Sequence, residues 1–326
     1  QKGFVCIDVY VRSCVFRYSK ASFSLRIQVR IHSGDGECLA LLPDQEGPVF
    51  CASVSPDGKI IASAGYDSTI RLWVQVPGPA GPLEELTKDE RYRRTMLEGQ
   101  GQWDLVREIK GHTNIINCVC WNSQSNIIAS CSNDNTVRTW RLDGTCTAEL
   151  KGHKDDVRSC MFTPDDKYLI SGSWDRHVRI WRLIDGKCVQ TLLGHKNYVW
   201  CIDVTQDGDY IATCSWDETC RIWARSGKLL AAIGGHDDRV THCRFVPDGD
   251  LLATASMDCT AKLWTLTGKC IKTYRKNDFG VQVGLLLRSM NDVVAAKSCV
   301  RSCEVGDHYA VHACTNITKR DRGRGV

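Results

Sequence analysis

Apolar residues along this chain come in short runs, each followed by a cluster of polar turn residues. Val157 to Phe162 leads into Thr163-Pro164-Asp165-Asp166, and Tyr168 to Ser173 follows. A tight turn around Asp175 precedes Val178-Arg179-Ile180-Trp181, and Asp185-Gly186 turns the chain into Cys188 to Leu193. Runs of four to six residues, rich in β-branched and aromatic side chains and bounded by Gly, Pro and Asp, read as β-strands. The pattern predicts four strands in this stretch.

The layout recurs. Gly-His pairs stand at Gly111-His112, Gly152-His153, Gly194-His195 and Gly235-His236, so the histidines are 41, 42 and 41 residues apart. Asp134, Asp175, Asp217 and Asp258 follow with the same spacings, and so do Trp140, Trp181, Trp223 and Trp264. Three landmarks kept in step over four units define a structural repeat. Four strands per repeat is the blade of a β-propeller, so the fold class is all-β.

Over residues 38–276 the chain resembles the WD-repeat family. The resemblance implies a buried network in each blade of His, strand Ser or Thr, turn Asp and Trp. The positions that match are His112, Ser130, Asp134 and Trp140; His153, Ser171, Asp175 and Trp181; His195, Thr213, Asp217 and Trp223; and His236, Thr254, Asp258 and Trp264. An earlier unit keeps Ser63, Asp67 and Trp73 but has Asp44-Gln45 where Gly-His is expected. The family's closing Trp-Asp pair is absent, because Trp is followed by Val74, Arg141, Arg182, Ala224 and Thr265.

Blade number depends on the two ends. Cys6-Ile7-Asp8-Val9 repeats Cys201-Ile202-Asp203-Val204 and places a degenerate blade at about residues 4–31. Residues 267–305 form a second degenerate blade, and His308 to Cys314 supply the outer strand that completes the first blade and closes the ring. This count predicts seven blades, with six as the alternative, in one propeller domain over residues 1–316. Ring closure removes sheet edges that invite aggregation. Residues 317–326 read as a basic, disordered tail. The spacing from Trp73 to Trp140 is one period plus about 26 residues. It marks an insertion at 74–102 with a Pro/Gly-rich start and a charged middle, between third and fourth strands, leaving the face opposite the Gly-His loops.

Composition narrows the class. There are 42 basic and 38 acidic residues, so no strong field points toward nucleic acid. No apolar run is long enough to span a bilayer, and Gln1 to Tyr10 lacks a signal-like core. The 19 cysteines fall mostly inside strand patterns, which suggests free thiols in a reducing, intracellular setting, cytoplasmic or nuclear. Cys38, Cys146, Cys188 and Cys270 hold matching places and read as small buried hydrophobes. Cys118 and Cys120 sit too close on one strand, with no partner pair, to suggest a site.

Ser, His and Asp together invite comparison with a hydrolase triad. A trio repeated four times at fixed spacing is instead what blade-pinning hydrogen bonds require, and each lost group would leave partners unpaired at roughly 1–3 kcal/mol. No cofactor, small-molecule substrate or catalytic residue is expected. Cys299, Cys303, His308, His312 and Cys314 loosely fit zinc-ligand spacing, but they fall where strands are expected. We expect a scaffold that binds a protein or peptide. The weighed alternatives are a cullin-type ubiquitin-ligase substrate receptor, whose Trp-Asp-x-Arg signature is missing, and a propeller hydrolase.

In the family, residues before the turn Asp and around the start of each first strand face the docking surface. Carried over, these are Tyr66, Asn133, Trp174, Trp216 and Met257; Phe50, Asn117, Arg158 and Trp200; and Asp156, Tyr198 and Arg239. Trp174, Tyr198, Trp200 and Trp216 belong to adjacent blades and are expected to cluster, since Trp, Tyr and Arg dominate binding hot spots.

Overall fold

A computed structural model describes residues 5–11, 27–33, 38–42, 47–76, 102–246, 249–275 and 312–313. Every regular element among them is a strand. Strands β1 (Val5–Val11), β2 (Ile27–Ser33) and β3 (Cys38–Leu41) belong to the first sheet. The second holds β4 (Val49–Val54), β5 (Ile60–Gly65), β6 (Thr69–Val76) and β7 (Gln102–Lys110). The third holds β8 (Ile116–Trp121), β9 (Ile127–Ser132), β10 (Thr136–Arg141) and β11 (Cys146–Lys151). The fourth holds β12 (Val157–Phe162), β13 (Tyr168–Ser173), β14 (Val178–Arg182) and β15 (Lys187–Leu192). The fifth holds β16 (Val199–Val204), β17 (Tyr210–Ser215), β18 (Cys220–Ala224) and β19 (Leu229–Ile233). The sixth holds β20 (Val240–Phe245), β21 (Leu251–Ser256), β22 (Thr260–Thr265) and β23 (Cys270–Arg275). A short β24 (His312–Ala313) joins the first sheet.

Within sheets two to six the strands lie side by side in chain order, each antiparallel to the next. The first strands pack sheet against sheet, from β4 to β8, β12, β16 and β20, so they form the common inner edge and the fourth strands the outer one. Second strands therefore lie between neighbours on both faces. Their burial shows it: β5, β9, β13, β17 and β21 each have one half-buried residue followed by five buried ones, with no alternation. A strand covered on both faces loses the polar-out signature of a half-exposed one. The close approach also demands small residues, since a β-carbon on Gly172 would sit 2.7 Å from Val199 Cγ1.

Three expectations are corrected. The closing segment pairs His312 with Asp8 and Ala313 with Ile7, on the edge of β1 away from β3. It occupies the inner position, and the outer strand of the first sheet is Cys38–Leu41. Residues 270–275 do not open a further blade, because they form the outer strand of the sixth sheet; residues 276–305 lie outside the described ones. Six four-stranded sheets are thus seen among the described residues. Third, Cys146 and Cys270 are exposed and Cys188 half-buried. Outer strands have a neighbour on one edge only, which leaves these thiols near solvent.

Strands β6 and β7, the third and fourth of the second sheet, flank the insertion. Its ends are tighter than 74–102, since Val76 still pairs with Gln102. Residues 77–101 and the 317–326 tail lie outside the described residues.

Candidate functional site

The turn between second and third strands sets the local geometry. In four repeats the turn Asp uses both carboxylate oxygens. Oδ1 accepts the amide of the residue two positions on, at 2.8–3.1 Å from Thr136, His177, Thr219 and Thr260. The intervening Asn135, Arg176, Glu218 and Cys259 have φ of 65°, 69°, 66° and 62°, a strained conformation for non-glycine residues that the carboxylate bond holds in place. Oδ2 accepts from the histidine of the Gly-His loop, with separations of 2.7 Å for His112–Asp134, 2.8 Å for His153–Asp175, 2.9 Å for His195–Asp217 and 2.8 Å for His236–Asp258.

The other imidazole nitrogen meets the strand hydroxyl at 2.7–2.8 Å in Ser130, Ser171, Thr213 and Thr254. Each hydroxyl in turn accepts the indole N–H of Trp140, Trp181, Trp223 or Trp264 at 2.7–2.9 Å. An indole only donates, which leaves the hydroxyl its own hydrogen and a second lone pair to meet Nε2, while the aspartate Oδ2 accepts the Nδ1 hydrogen. In three of the four repeats the indole six-membered ring also fills the space beside the glycine of Gly-His: a β-carbon on Gly111 would lie 2.6 Å from Trp140 Cη2, and at Gly194 Arg221 takes that place. The second sheet, lacking the histidine, answers differently. Trp73 donates to Ser63 at 2.8 Å, while Arg71 turns onto Asp67 at 2.5 Å and Glu108 at 2.9 Å.

These networks make the fold acid-labile. Burial alone would raise the turn aspartates, but hydrogen bonds from histidine, Thr hydroxyls and backbone amides outweigh it and hold Asp134, Asp175 and Asp217 well below the usual carboxylate range. Asp258 is lowered to about 2 by Thr260, the Asp237 amide and His236 acting against burial. Burial pushes His153, His195 and His236 below their ordinary 6.5. Unfolded histidines thus take up protons first as pH falls below 6.5, and unfolded aspartates do so as pH falls through 3.8 toward 2; both favour unfolding. Asp203 opposes this, because burial pushes its carboxyl up to about 6 and its protonation favours the fold below that pH. Asp156, raised by burial and by Asp155, acts the same way. Below pH 3.8 the gains at Asp203 and Asp156 are complete while the four turn aspartates lose their contribution together. The melting temperature should fall steeply between about pH 4 and pH 2 in thermal scans, and a flat or rising profile there would contradict the network.

The same turns position the expected docking residues. The amides of Tyr66, Asn133, Trp174, Trp216 and Met257 donate to the carbonyls of Pro48, Ile115, Asp156, Tyr198 and Arg239 at 2.9–3.0 Å. Each pre-Asp residue is thereby held over the start of the neighbouring first strand. That strand start is a β-bulge: register jumps from Val49 to Cys51, Ile116 to Cys118, Val157 to Ser159, Val199 to Cys201 and Val240 to His242. The skipped residues are Phe50, Asn117, Arg158, Trp200 and Thr241. Bulges re-aim a side chain out of the ladder, so four of the expected docking residues occupy positions released from the regular pleat.

Six of the expected residues meet in one stack. Trp200 lies on Trp216 with ring centroids 4.8 Å apart and an interplanar angle of 17°, and Trp174 lies on Tyr198 at 4.7 Å and 15°. The pairs touch through Tyr198–Trp216 at 5.4 Å. Arg158 caps Trp200 and Arg239 caps Trp216, each with its guanidinium carbon 4.2 Å from the ring centroid. Arg158 is steadied by Asn117 Oδ1 at 2.7 Å, and Asn117 donates to Asn133 at 2.6 Å. All four rings are half-buried, neither core nor free surface, while Arg239 is exposed. Among the described residues Phe50 and Met257 (half-buried), Tyr66 (59% exposed) and Asp156 stand outside this stack. The chain's own arginines thus cover the outer faces of Trp200 and Trp216.

Two features were missed in the sequence. Arg71, replacing histidine's role at Asp67, is one. The other is a pair of thiol clusters, Cys118 with Cys131 and Cys160, and Cys201 with Cys214 and Cys243. Cys118 does have partners, supplied by β9 and by the first strand of the next sheet. The signal was present: the second trio follows the first by 83 residues at every position. Of the zinc-like set Cys299, Cys303, His308, His312 and Cys314, only the backbone of His312 lies among the described residues.

Four-stranded sheets pinned by a buried Trp–Ser/Thr–His–Asp relay, with inner edges packed in series, define a β-propeller of repeated blades. The chain belongs to the WD-repeat family. Residues 36–74, 103–141, 144–182, 186–224 and 227–265 match the family described as "WD domain, G-beta repeat", and these segments span more than half the chain. Similar proteins include Probable cytosolic iron-sulfur protein assembly protein 1 of Candida albicans (strain SC5314 / ATCC MYA-2876), 34% identical over 26% of this chain and 21% of its own length. The protein of the same name from Meyerozyma guilliermondii is 26% identical over 40% of this chain and 36% of its own length. Transcription initiation factor TFIID subunit 5 of Drosophila melanogaster is 29% identical over 29% of this chain and 14% of its own length. The chain thus spans only 14–36% of the length of these curated relatives. Among the described residues no helix is long and apolar enough to cross a membrane.

Proposed function

We propose that this chain is a non-catalytic scaffold inside the cell that grips a protein or peptide partner at the stack of Trp174, Tyr198, Trp200 and Trp216, flanked by Arg158 and Arg239. The observation that carries this reading is the Arg158–Trp200–Trp216–Arg239 stack, built from bulge and turn residues released from the regular strand pairing. The relatives agree in kind: they are named for assembling other proteins or as a subunit of a larger complex. Because the chain's own arginines end the stack, the complementary side chain is a carboxylate that pairs with a guanidinium already oriented by an indole.

Affinity purification tests this directly. Wild-type protein, the Trp200→Ala/Trp216→Ala variant and Ile184→Asp, which alters a 91% exposed apolar residue in the turn between β14 and β15, are compared side by side. A partner is expected to be retained by wild type and Ile184→Asp and lost from the double variant. Retention by all three would overturn the assignment of the site.

A further inference from the structure

The thiol trios lie where two sheets meet at their inner edges. Cys118 is on β8, directly paired with Cys131 on β9, and Cys160 comes from β12 of the next sheet. Cys201 on β16 pairs with Cys214 on β17, and Cys243 comes from β20. Within each trio all three sulfurs lie within 4.8 Å of one another. None of the six is in a disulfide. Their hydrogen bonds to carbonyls are long, at 3.8 Å for Cys118 to Cys160, 3.9 Å for Cys201 to Cys243 and 3.7 Å for Cys243 to Cys201.

Repetition alone does not account for the grouping. The intervening repeat has Ser159 and Gly172 where the trio has its first two cysteines. Strand β8 reads Ile-Asn-Cys-Val-Cys-Trp and β16 reads Val-Trp-Cys-Ile-Asp-Val, so the cysteine is retained where its neighbours have changed. Cys131, Cys160, Cys214 and Cys243 are buried, whereas Cys118 and Cys201 are half-buried. Positive groups stand close, with Arg158 in electrostatic reach of Cys131 and Cys118, and His242 in reach of Cys201.

We propose that each trio is a soft-metal site that takes one monovalent copper ion, three thiolates closing on it in a plane. Thiolate sets of this kind favour copper(I), whereas zinc asks for a fourth ligand in tetrahedral array; among the described residues no fourth His, Cys or carboxylate lies within 4.8 Å of all three sulfurs, Cys120 approaching only Cys160, at 3.9 Å. With metal–sulfur bonds of about 2.3 Å, as in thiolate sites generally, a trigonal ion brings its sulfurs to about 4.0 Å apart. The present separations, all within 4.8 Å, stand close to that spacing. Each thiol that binds releases its proton to solvent.

The test titrates the full chain anaerobically with copper(I), supplied as its acetonitrile complex, against a colorimetric copper(I) chelator. Wild type is expected to hold two more copper ions per chain than Cys131→Ala/Cys214→Ala, with one lost in each single variant. X-ray absorption should show three sulfur neighbours at the added ions. Cys160→Ala/Cys243→Ala, which alters the other half of each trio, should repeat the loss. The exposed pair Cys146→Ala/Cys270→Ala should leave binding unchanged, and circular dichroism selects the folded variants. Equal copper content in wild type and both trio variants would overturn the proposal. Retention of zinc in preference to copper would overturn the choice of ion.

Discussion

Asp217→Ala is expected to lower stability by about 3–5 kcal/mol, and the melting temperature by on the order of 10 °C, while Asp67→Ala should cost well under half as much. The difference comes from what each carboxylate satisfies. Asp217 accepts from His195 Nδ1 at 2.9 Å, from the amides of Lys196 at 2.9 Å and Thr219 at 3.1 Å, and from the Thr219 hydroxyl at 2.6 Å. Removing it orphans a buried imidazole N–H and frees the positive-φ turn at Glu218, whose φ is 66°. The disturbance passes to Thr213 and the Trp223 indole, both in the interior of the fifth sheet. Asp67 holds the matching turn at Ser68, whose φ is 59°, through the Thr69 amide at 3.2 Å, but its second oxygen meets Arg71 in place of a histidine, and Arg71 keeps Glu108 when Asp67 is gone. Thermal denaturation of the two variants beside wild type settles the matter. Equal losses would mean that the relay through histidine adds nothing to the turn.

The second large effect concerns binding. Aromatic hot-spot residues cost about 2 kcal/mol or more when truncated, so Trp200→Ala and Trp216→Ala should each weaken a captured partner by roughly 30-fold, and the pair by up to about 1,000-fold. Because both rings are half-buried, each also supports an arginine, and the double variant should lose some stability, though less than Asp217→Ala. Arg239→Glu separates the contributions: it leaves the rings in place, reverses an exposed charge, and should weaken an acidic partner while reducing the salt dependence of binding. Titration calorimetry with the purified partner at two salt concentrations gives both quantities. A double variant that unfolds would show that the rings are core; unchanged affinity in a folded one would remove the stack from the interface.

The repeat itself was readable because its landmarks obey local chemistry. A turn needs its Asp to cap strained amides, and that Asp needs a donor from the preceding loop, so His, Asp and Trp recur at a rigid spacing whatever the rest of the blade does. For the same reason the missing histidine at Asp44-Gln45 was visible, but the Arg71 that takes its place was not. Which side chain swings onto an unpaired carboxylate depends on rotamers and neighbours across the sheet.

The ends were hardest to place. Cys6-Ile7-Asp8-Val9 resembles the inner strand Cys201-Ile202-Asp203-Val204, yet β1 lies second in its sheet, with His312–Ala313 inside it. A strand's sequence records which of its faces are covered and says little about which edge partner arrives from the far end of the chain.

Local pattern along the chain determined the strand lengths and the repeat, and the family resemblance carried by that repeat implied the polar relay and the candidate docking residues. Tertiary structure alone decided that the closing strand sits inside, that outer-strand cysteines meet solvent, that two arginines cover the tryptophans, and that six thiols gather in two trios. The physical reason is range. Turn chemistry and strand periodicity act over a few residues, whereas burial, stacking and sulfur convergence are set by how neighbouring sheets pack, and that distance is not written in the spacing of any one segment.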